Sequence, residues 1–142
     1  MSSESSSGFL LVNALSKQVP TREGSLTLLD DISFVVPAGM SVAILGASGS
    51  GKTTLLGLLA GLDLPSHGSV QIDGHNMSDY DEDGRASLRA ELIGFVFQNF
   101  QLLAGLTALE NVMLPLELMQ QPDPRATAEA LLVRVGLGER FQ

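Results

Sequence analysis

Residues 40–62 read M-S-V-A-I-L-G-A-S-G-S-G-K-T-T-L-L-G-L-L-A-G-L. The first six residues suit a strand, Gly46 to Gly51 form a glycine-rich turn, and a helical pattern opens at Lys52-Thr53-Thr54. This is G-x-x-x-x-G-K-T with a strand before it and a helix after it, the context that gives the pattern physical meaning. A chain of phosphates carries several negative charges and needs donors without bulk. Gly46, Gly49 and Gly51 let the backbone curl with its N–H groups inward, and the helix start adds uncapped N–H groups and a positive dipole end. Ala47, Ser48 and Ser50 complete the turn. Lys52 supplies a point charge for β- and γ-oxygens, Thr53 a hydroxyl for Mg²⁺, and Thr54 a contact on the α-phosphate side. The plainer alternative is a Gly/Ser linker that happens to hold a lysine, and the flanking strand and helix argue against it.

Outside this stretch the whole chain sets bounds. A length of 142 residues suits one domain with a real core. A formal charge of −8, with Lys17 and Lys52 the only lysines, argues against a nucleic-acid partner, which would attract clustered cations. Cysteine is absent, so disulfides and thiolate metal sites are excluded. No apolar run reaches the ~18 residues of a membrane helix, and the start M-S-S-E-S-S-S-G has neither the basic nor the apolar part of a secretory signal. A soluble, cytoplasmic protein is expected.

Residues 1–8 are Ser-rich and predict a disordered tail. Strands are expected over 9–15 and 26–36, with a loop over 16–25 because of Pro20 and Gly24. The apolar run 40–45 suits a strand buried on both faces of a parallel sheet. Leu55, Leu58, Leu59 and Leu62 then recur at i, i+3, i+4 and i+7, a stripe that would face that sheet. Residues 69–72 read as a short strand and 78–91 as a helix with acids first and Arg85 and Arg89 later, the polarity the helix dipole favours. Residues 93–97 are apolar again; Ile93, Phe95 and Phe97 alternate as in a half-buried strand. Thr107-Ala-Leu-Glu110 is a capping box for a helix in which Pro115 implies a kink. Asp123-Pro124 starts another helix, with Ala128, Leu131, Leu132 and Val135 as its apolar stripe and Gly136 as its stop. A βα unit around the loop calls for a parallel sheet, of which these residues supply only part.

The residues around the loop carry a resemblance. I-G-F-V-F-Q at 93–98, followed by Asn99-Phe100-Gln101-Leu102-Leu103, resembles the Q-loop of ATP-binding-cassette (ABC) ATPases. The run L-L-D-D-I-S-F-V-V-P-A-G-M-S-V-A-I-L-G before the loop and L-G-L-L-A-G-L-D-L-P-S-H-G-S-V-Q-I-D-G after it are similar to the same family. R-A-S-L-R-A-E-L-I-G-F-V-F-Q together with L-T-A-L-E-N-V-M-L-P-L-E-L looks like the branch that serves lipoprotein release and macrolide export, and most like its YbbA-type ATPases. The resemblance covers residues 9–142.

It implies an α/β P-loop NTPase fold of the ABC type in truncated form. An antiparallel β subdomain would join an incomplete parallel sheet over 9–98, and 99–142 would hold the Q-loop and the start of the helical subdomain. It implies ATP and Mg²⁺ as ligands, with Gly46, Ala47, Ser48, Gly49, Ser50, Gly51, Lys52, Thr53 and Thr54 on the phosphates and Thr53 and Gln98 on the metal. Gln98 and Lys52 would be the catalytic groups. The implied partners are a transmembrane permease, reached through the segment after Gln98, and a second ATPase subunit in a homodimer; no nucleic acid is implied. Phe100, Leu102, Leu103 and Leu106 would be core, or a groove for a cytoplasmic helix of the permease. The implied place is the inner face of a bacterial cell membrane.

Two departures stand out. The family places an aromatic residue after the first strand to stack on adenine, and the matching position is Val19. The signature motif around L-S-G-G-Q, the Walker B strand ending in Asp-Glu and the switch histidine would all follow residue 142, so the chain as it stands is expected to bind nucleotide without efficient turnover. The run ending in Asp30-Asp31 imitates Walker B but precedes the loop, and His67 and His75 fall in turns, where solvation is the expectation. The remaining alternatives are a small-molecule P-loop kinase, which needs converging arginines where Arg85 and Arg89 would pair with local acids, and an inactive truncated product.

Overall fold

The computed structural model describes residues 8–97 and 102–139. Two compact units divide the chain, 1–95 and 96–142.

The first unit is built on a long antiparallel hairpin, β1 (Leu10–Thr21) and β2 (Gly24–Val36), turning at Arg22 and Glu23. After it come α1 (Lys52–Leu59), β3 (His67–Ile72), β4 (His75–Asn76), a 3-10 turn (Met77–Asp79) and α2 (Glu82–Leu92). The sheet order is β2-β1-β3-β4, with every pairing antiparallel. The loop expected over 16–25 is therefore strand. Pro20 is tolerated because β1 pairs with β3 only as far as Ser16; beyond it β1 has β2 as its single neighbour, and a proline without an N–H is acceptable on such an edge.

Two bulges explain why the strand pattern was hard to read. Val12 and Leu15 are both buried, an odd spacing that a regular strand would send to opposite faces. Ala14, at φ 46°, absorbs the extra residue. On β2, Asp31 at φ 47° does the same between Leu29 and Ile32, which both reach the core. Each bulge meets a serine from the other strand. The Ala14 amide donates to Ser33 Oγ at 2.8 Å, and the Asp31 amide donates to Ser16 Oγ at 2.9 Å. Leu15, fully buried, contributes about 1.5–3 kcal/mol. Opposite the first bulge stands Gly68, at φ 81°, where a Cβ would collide with the carbonyl oxygens of Asn13 and Ala14.

The stripe of α1 is shorter than expected by its last residue. Leu55 and Leu58 are buried and Leu59 packs against the same core, but Leu62 is exposed. The helix ends first: Gly61 turns left-handed, and the Leu62 and Gly61 amides donate back to Gly57 and Leu58 carbonyls. The helix expected over 78–91 begins at Glu82. Asn76 caps the 3-10 turn through Ser78, Tyr80 is extended, and Asp81 caps α2 by accepting from the Gly84 amide at 2.8 Å. Lys17 bridges to the chain after α1, with Nζ 2.6 Å from Asp63 and 2.8 Å from the Leu64 carbonyl. The Lys17 hydrogen bond holds the Asp63 carboxyl below its ordinary range, against a smaller desolvation effect.

Two expected strands do not form. Residues 40–45 and 93–97 make no ladder with the described sheet. Leu45 is 89% exposed and Val96 fully so, while Ile44 and Ile93 pack against the core. A strand buried on both faces needs hydrogen-bonding neighbours, and the four paired strands do not extend to either run. The half-buried alternation expected of Phe95 and Phe97 gives way to exposure. His67 and His75 begin strands β3 and β4 rather than lying in turns; both are exposed, and His75 Nδ1 lies 2.7 Å from Tyr80 Oη.

In the second unit, α3 (Ala108–Leu118) and α4 (Pro124–Arg134) pack on each other through Leu109, Ala128 and Leu132. The capping box forms as expected: the Thr107 amide and hydroxyl donate to Glu110, and the Glu110 amide donates to Thr107 Oγ1. Those donors, the backbone amide first, lower the Glu110 pKa. Asp123 caps α4 with Pro124 behind it, and Gly136 stops it. Leu131 and Val135 leave the expected stripe and are exposed, because two helices cover only one face of each other. Asn111 staples the preceding loop: its side chain accepts from the Leu103 amide and donates to the Leu103, Leu106 and Thr107 carbonyls. Leu102 and Leu103 are exposed and Leu106 is half-buried; Phe100 lies outside the described residues.

Two outcomes follow from this packing. Gly68→Ala should destabilise the first unit by about 2 kcal/mol or more, while Gly74→Ala, equally left-handed but in open space, should cost about 1 kcal/mol. Equal urea midpoints for the two variants would contradict the bulge account. The second concerns Glu82, whose carboxyl is held below its ordinary value by Arg85 and then Arg89. A depressed carboxylate stabilises the fold above its unfolded pKa and loses that effect as pH falls through the folded one. The difference in thermal midpoint between wild type and Glu82→Gln should therefore be constant near neutral pH and close below about pH 4.5, the ordinary value; a gap that persists in acid would rule the pairing out.

Candidate phosphate-binding site

The loop 46–51 leaves the extended run 40–45 and closes on itself, the Ser50 amide donating to the Ala47 carbonyl at 3.2 Å. Gly51 is the N-cap of α1 at φ 88° and ψ 5°, a conformation that L side chains resist. It also sits against β2: a Cβ there would lie 2.9 Å from both the Leu28 carbonyl oxygen and Leu29 Cδ2. Both the fold and the turn therefore require glycine at this position. The Leu55 amide donates to the Gly51 carbonyl at 2.8 Å, so helical bonding begins at once.

No side chain caps α1, and no acid stands in its first turn. The amides of Lys52, Thr53 and Thr54 precede that of Leu55, the first to donate within the helix, and face forward out of the helix start. Lys52 bends back over the loop, with Nζ 2.8 Å from the Gly46 carbonyl, 2.6 Å from that of Ala47 and 3.4 Å from Ser50 Oγ. A positive charge, three forward amides and the positive end of a helix dipole thus share one small turn, an arrangement that attracts an anion. Ser48, Gly49, Ser50 and Thr53 are exposed, and Lys52 and Thr54 are half-buried.

The nine residues Gly46 to Thr54 are contiguous in this turn. Gln98, expected beside the metal, lies outside the described residues. Val19 is half-buried in β1 opposite Leu26. Asp30 and Asp31 lie on β2, exposed, with Asp31 serving the bulge. Among the described residues, no three His, Asp or Glu side chains group as metal ligands would.

Arg85 and Arg89 pair with a local acid as expected, and Arg89 also reaches the chain just past the end of α1. Gly61, just past the C-terminal end of α1, receives Arg89 Nη1 on its carbonyl at 2.7 Å. Arg89 and Arg85 both pair with Glu82, at 3.0 and 2.7 Å, and Arg85 Nη1 also meets the Tyr80 carbonyl at 2.6 Å. The acid-first, base-last order of α2 was the visible signal; the reach of Arg89 to another helix was not in it.

Comparison with known proteins agrees with this architecture. Residues 29–141 match the family model described as ABC transporter. An uncharacterized ABC transporter ATP-binding protein, YbbA of Escherichia coli K12, is 47% identical over 132 residues, 92% of this chain and 58% of its own length. The lipoprotein-releasing system ATP-binding protein LolD of Pseudomonas fluorescens is 48% identical over 120 residues, 83% of this chain and 53% of its own. The chain thus spans little more than half the length of these relatives. Among solved structures, the dimeric ATP-binding cassette MJ0796, in a post-hydrolysis state bound to ADP and phosphate, superposes with a TM-score of 0.85 at 36% identity, over 93% of this chain and 59% of its own. The chain belongs to the ABC transporter ATPase family and has part of its α/β P-loop fold, in the branch that includes YbbA, LolD and the macrolide exporter MacB.

Proposed function

We propose that residues 46–54 bind the phosphates of ATP with Mg²⁺, as the nucleotide site of a transporter ATPase. The observation that carries this reading is Lys52 over an uncapped helix start, with donors and positive charge and no carboxylate in the first turn. Thr53 is exposed and would offer its hydroxyl to Mg²⁺; Gln98 would be a further ligand of the metal. The residues fit the group: the backbone turn supplies the donors, and the two glycines at positive φ leave room for phosphate oxygens to approach. MgATP supplies the cleavable phosphoanhydride when bound; this chain's own contribution is to hold the phosphates and orient the metal.

In this reading the complete protein couples ATP hydrolysis to a permease through the segment after Gln98 and works as a pair of ATPase subunits. No helix among the described residues is long and apolar enough to cross a membrane, so the protein would sit at the inner membrane face through that partner. The 142 residues by themselves would bind nucleotide without efficient hydrolysis, since no Asp-Glu closing a strand follows the loop within them. A kinase reading is not favoured, because Arg85 and Arg89 are engaged by Glu82 instead of converging on the loop.

Titration with a fluorescent ATP analogue in Mg²⁺ buffer tests the site. Lys52→Ala should weaken binding by roughly 10- to 100-fold, the loss of a charge-assisted hydrogen bond worth ~1.5–3 kcal/mol; equal affinity in wild type and variant would sink the assignment. With Val19 where a stacking ring is usual, GTP should compete within about a factor of ten of ATP, or ~1.4 kcal/mol. A much larger preference for ATP would point to an adenine contact from elsewhere.

A further inference from the structure

We infer that Arg89 is a positioning residue for the phosphate loop, setting the orientation of α1 from its far end. The inference rests on the phosphate-site reading and adds a residue outside the loop to it. The helix α1 has eight residues and is therefore about 12 Å long, too short to bend, so a shift at one end moves the other. Its packing contacts are apolar: Leu55 and Leu58 are buried, and Gly61 abuts Met77 of the 3-10 turn, whose Sδ would lie 3.3 Å from a Cβ there. Apolar contact is non-directional and resists sliding or rotation only weakly. The bond from Arg89 Nη1 to the Gly61 carbonyl is directional, short and charge-assisted, and it meets the helix at its negative end.

The guanidinium is itself held in place. Its side chain is only 18% exposed, and its second nitrogen is fixed on Glu82 Oε1 while Glu82 Oε2 holds Arg85, which is anchored on the Tyr80 carbonyl. The register of α2 is thus transmitted through Glu82 and Arg89 to Gly61, and from there along α1 to Lys52. Arg89 also lies in the last turn of α2, its carbonyl accepting from the Ile93 amide that opens the run toward Gln98.

The test compares Arg89→Met, which keeps the aliphatic packing and removes the donors, with Arg89→Lys, which restores charge and one donor. The expected result for Arg89→Met is a folded protein by circular dichroism, altered backbone amide resonances at Gly49, Gly51 and Thr53 without nucleotide, and roughly tenfold weaker binding of the fluorescent ATP analogue. Arg89→Lys should recover most of the affinity, a rescue that general destabilisation would not give. Arg125→Met, which removes only an exposed pair with Glu129 on α4, should leave loop and affinity unchanged. If Arg89→Met does not fold, Glu82→Gln is the second variant, with the same resonances moving and a smaller loss of affinity. Wild-type loop resonances and affinity in a folded Arg89→Met, or in Glu82→Gln where that variant replaces it, overturn the inference. A wild type that binds no nucleotide defeats the phosphate-site reading alone, because the loop resonances still decide the positioning.

Discussion

The contact on which the first unit depends is the approach of Gly51 to β2. The helix start that carries Lys52 lies so close to the Leu28 carbonyl and the Leu29 side chain that no Cβ fits between them. That closeness has its own precondition. Leu29 points inward at that position, and Ile32 also reaches the core, only because Asp31 takes up an extra residue. The Asp31 amide is satisfied in turn by Ser16, on a strand with a bulge of its own. A pair of local irregularities in a hairpin thus fixes where a phosphate turn can stand. Loss of Ser16, which is buried, would take the partner from the Asp31 amide, whereas the Ala14–Ser33 bond is exposed and water can replace that serine.

Four of the five cations of the first unit turn inward, while Arg22 is exposed at the hairpin turn. Lys17 ties β1 to the chain after α1, Lys52 crosses its own loop, and Arg85 and Arg89 brace α2 against a 3-10 turn and a helix end. Each has a carbonyl as a partner, so each positive charge is spent on fixing backbone rather than on the surface. With a formal charge of −8 the chain repels polyanions, and at the turn Lys52 stands beside a helix start that carries no acid. That suits a small anionic ligand delivered with its own counter-ion.

Much of this was legible in the sequence, and the failures have a physical pattern. The glycine turn that opens α1, the capping box at Thr107 and the Asp123-Pro124 start are local signals, each fixed by neighbours within four residues, and each of these local structures appears where expected. Pro20 and Gly24 are turn residues by local chemistry, so 16–25 has the composition of a loop; that Pro20 sits on a one-sided edge depends on where β3 begins, far along the chain. The bulges hid the alternation of β1 and β2 by inverting its phase midway. The helix expected over 78–91 starts four residues later because Tyr80 is extended between two caps that are close in sequence. Runs 40–45 and 93–97 have strand composition, but a strand is a property of a pair, and the pairing partner was never in the local sequence.

Lys52 shows how the loop can be ready for an anion without being rigidly closed. An ammonium group has three donors. Two are spent on the Gly46 and Ala47 carbonyls at 2.8 and 2.6 Å, and the third makes only a long contact with Ser50 Oγ at 3.4 Å. A phosphate oxygen arriving at the turn would compete for that third donor alone. It would displace the weakest of the three contacts and leave the two that fix the direction of the side chain. The loop carbonyls thus place the charge in advance, and the entropy of ordering a long, flexible lysine is already met in the folded chain. Weakening either carbonyl contact would therefore lower anion affinity even though neither carbonyl touches the anion.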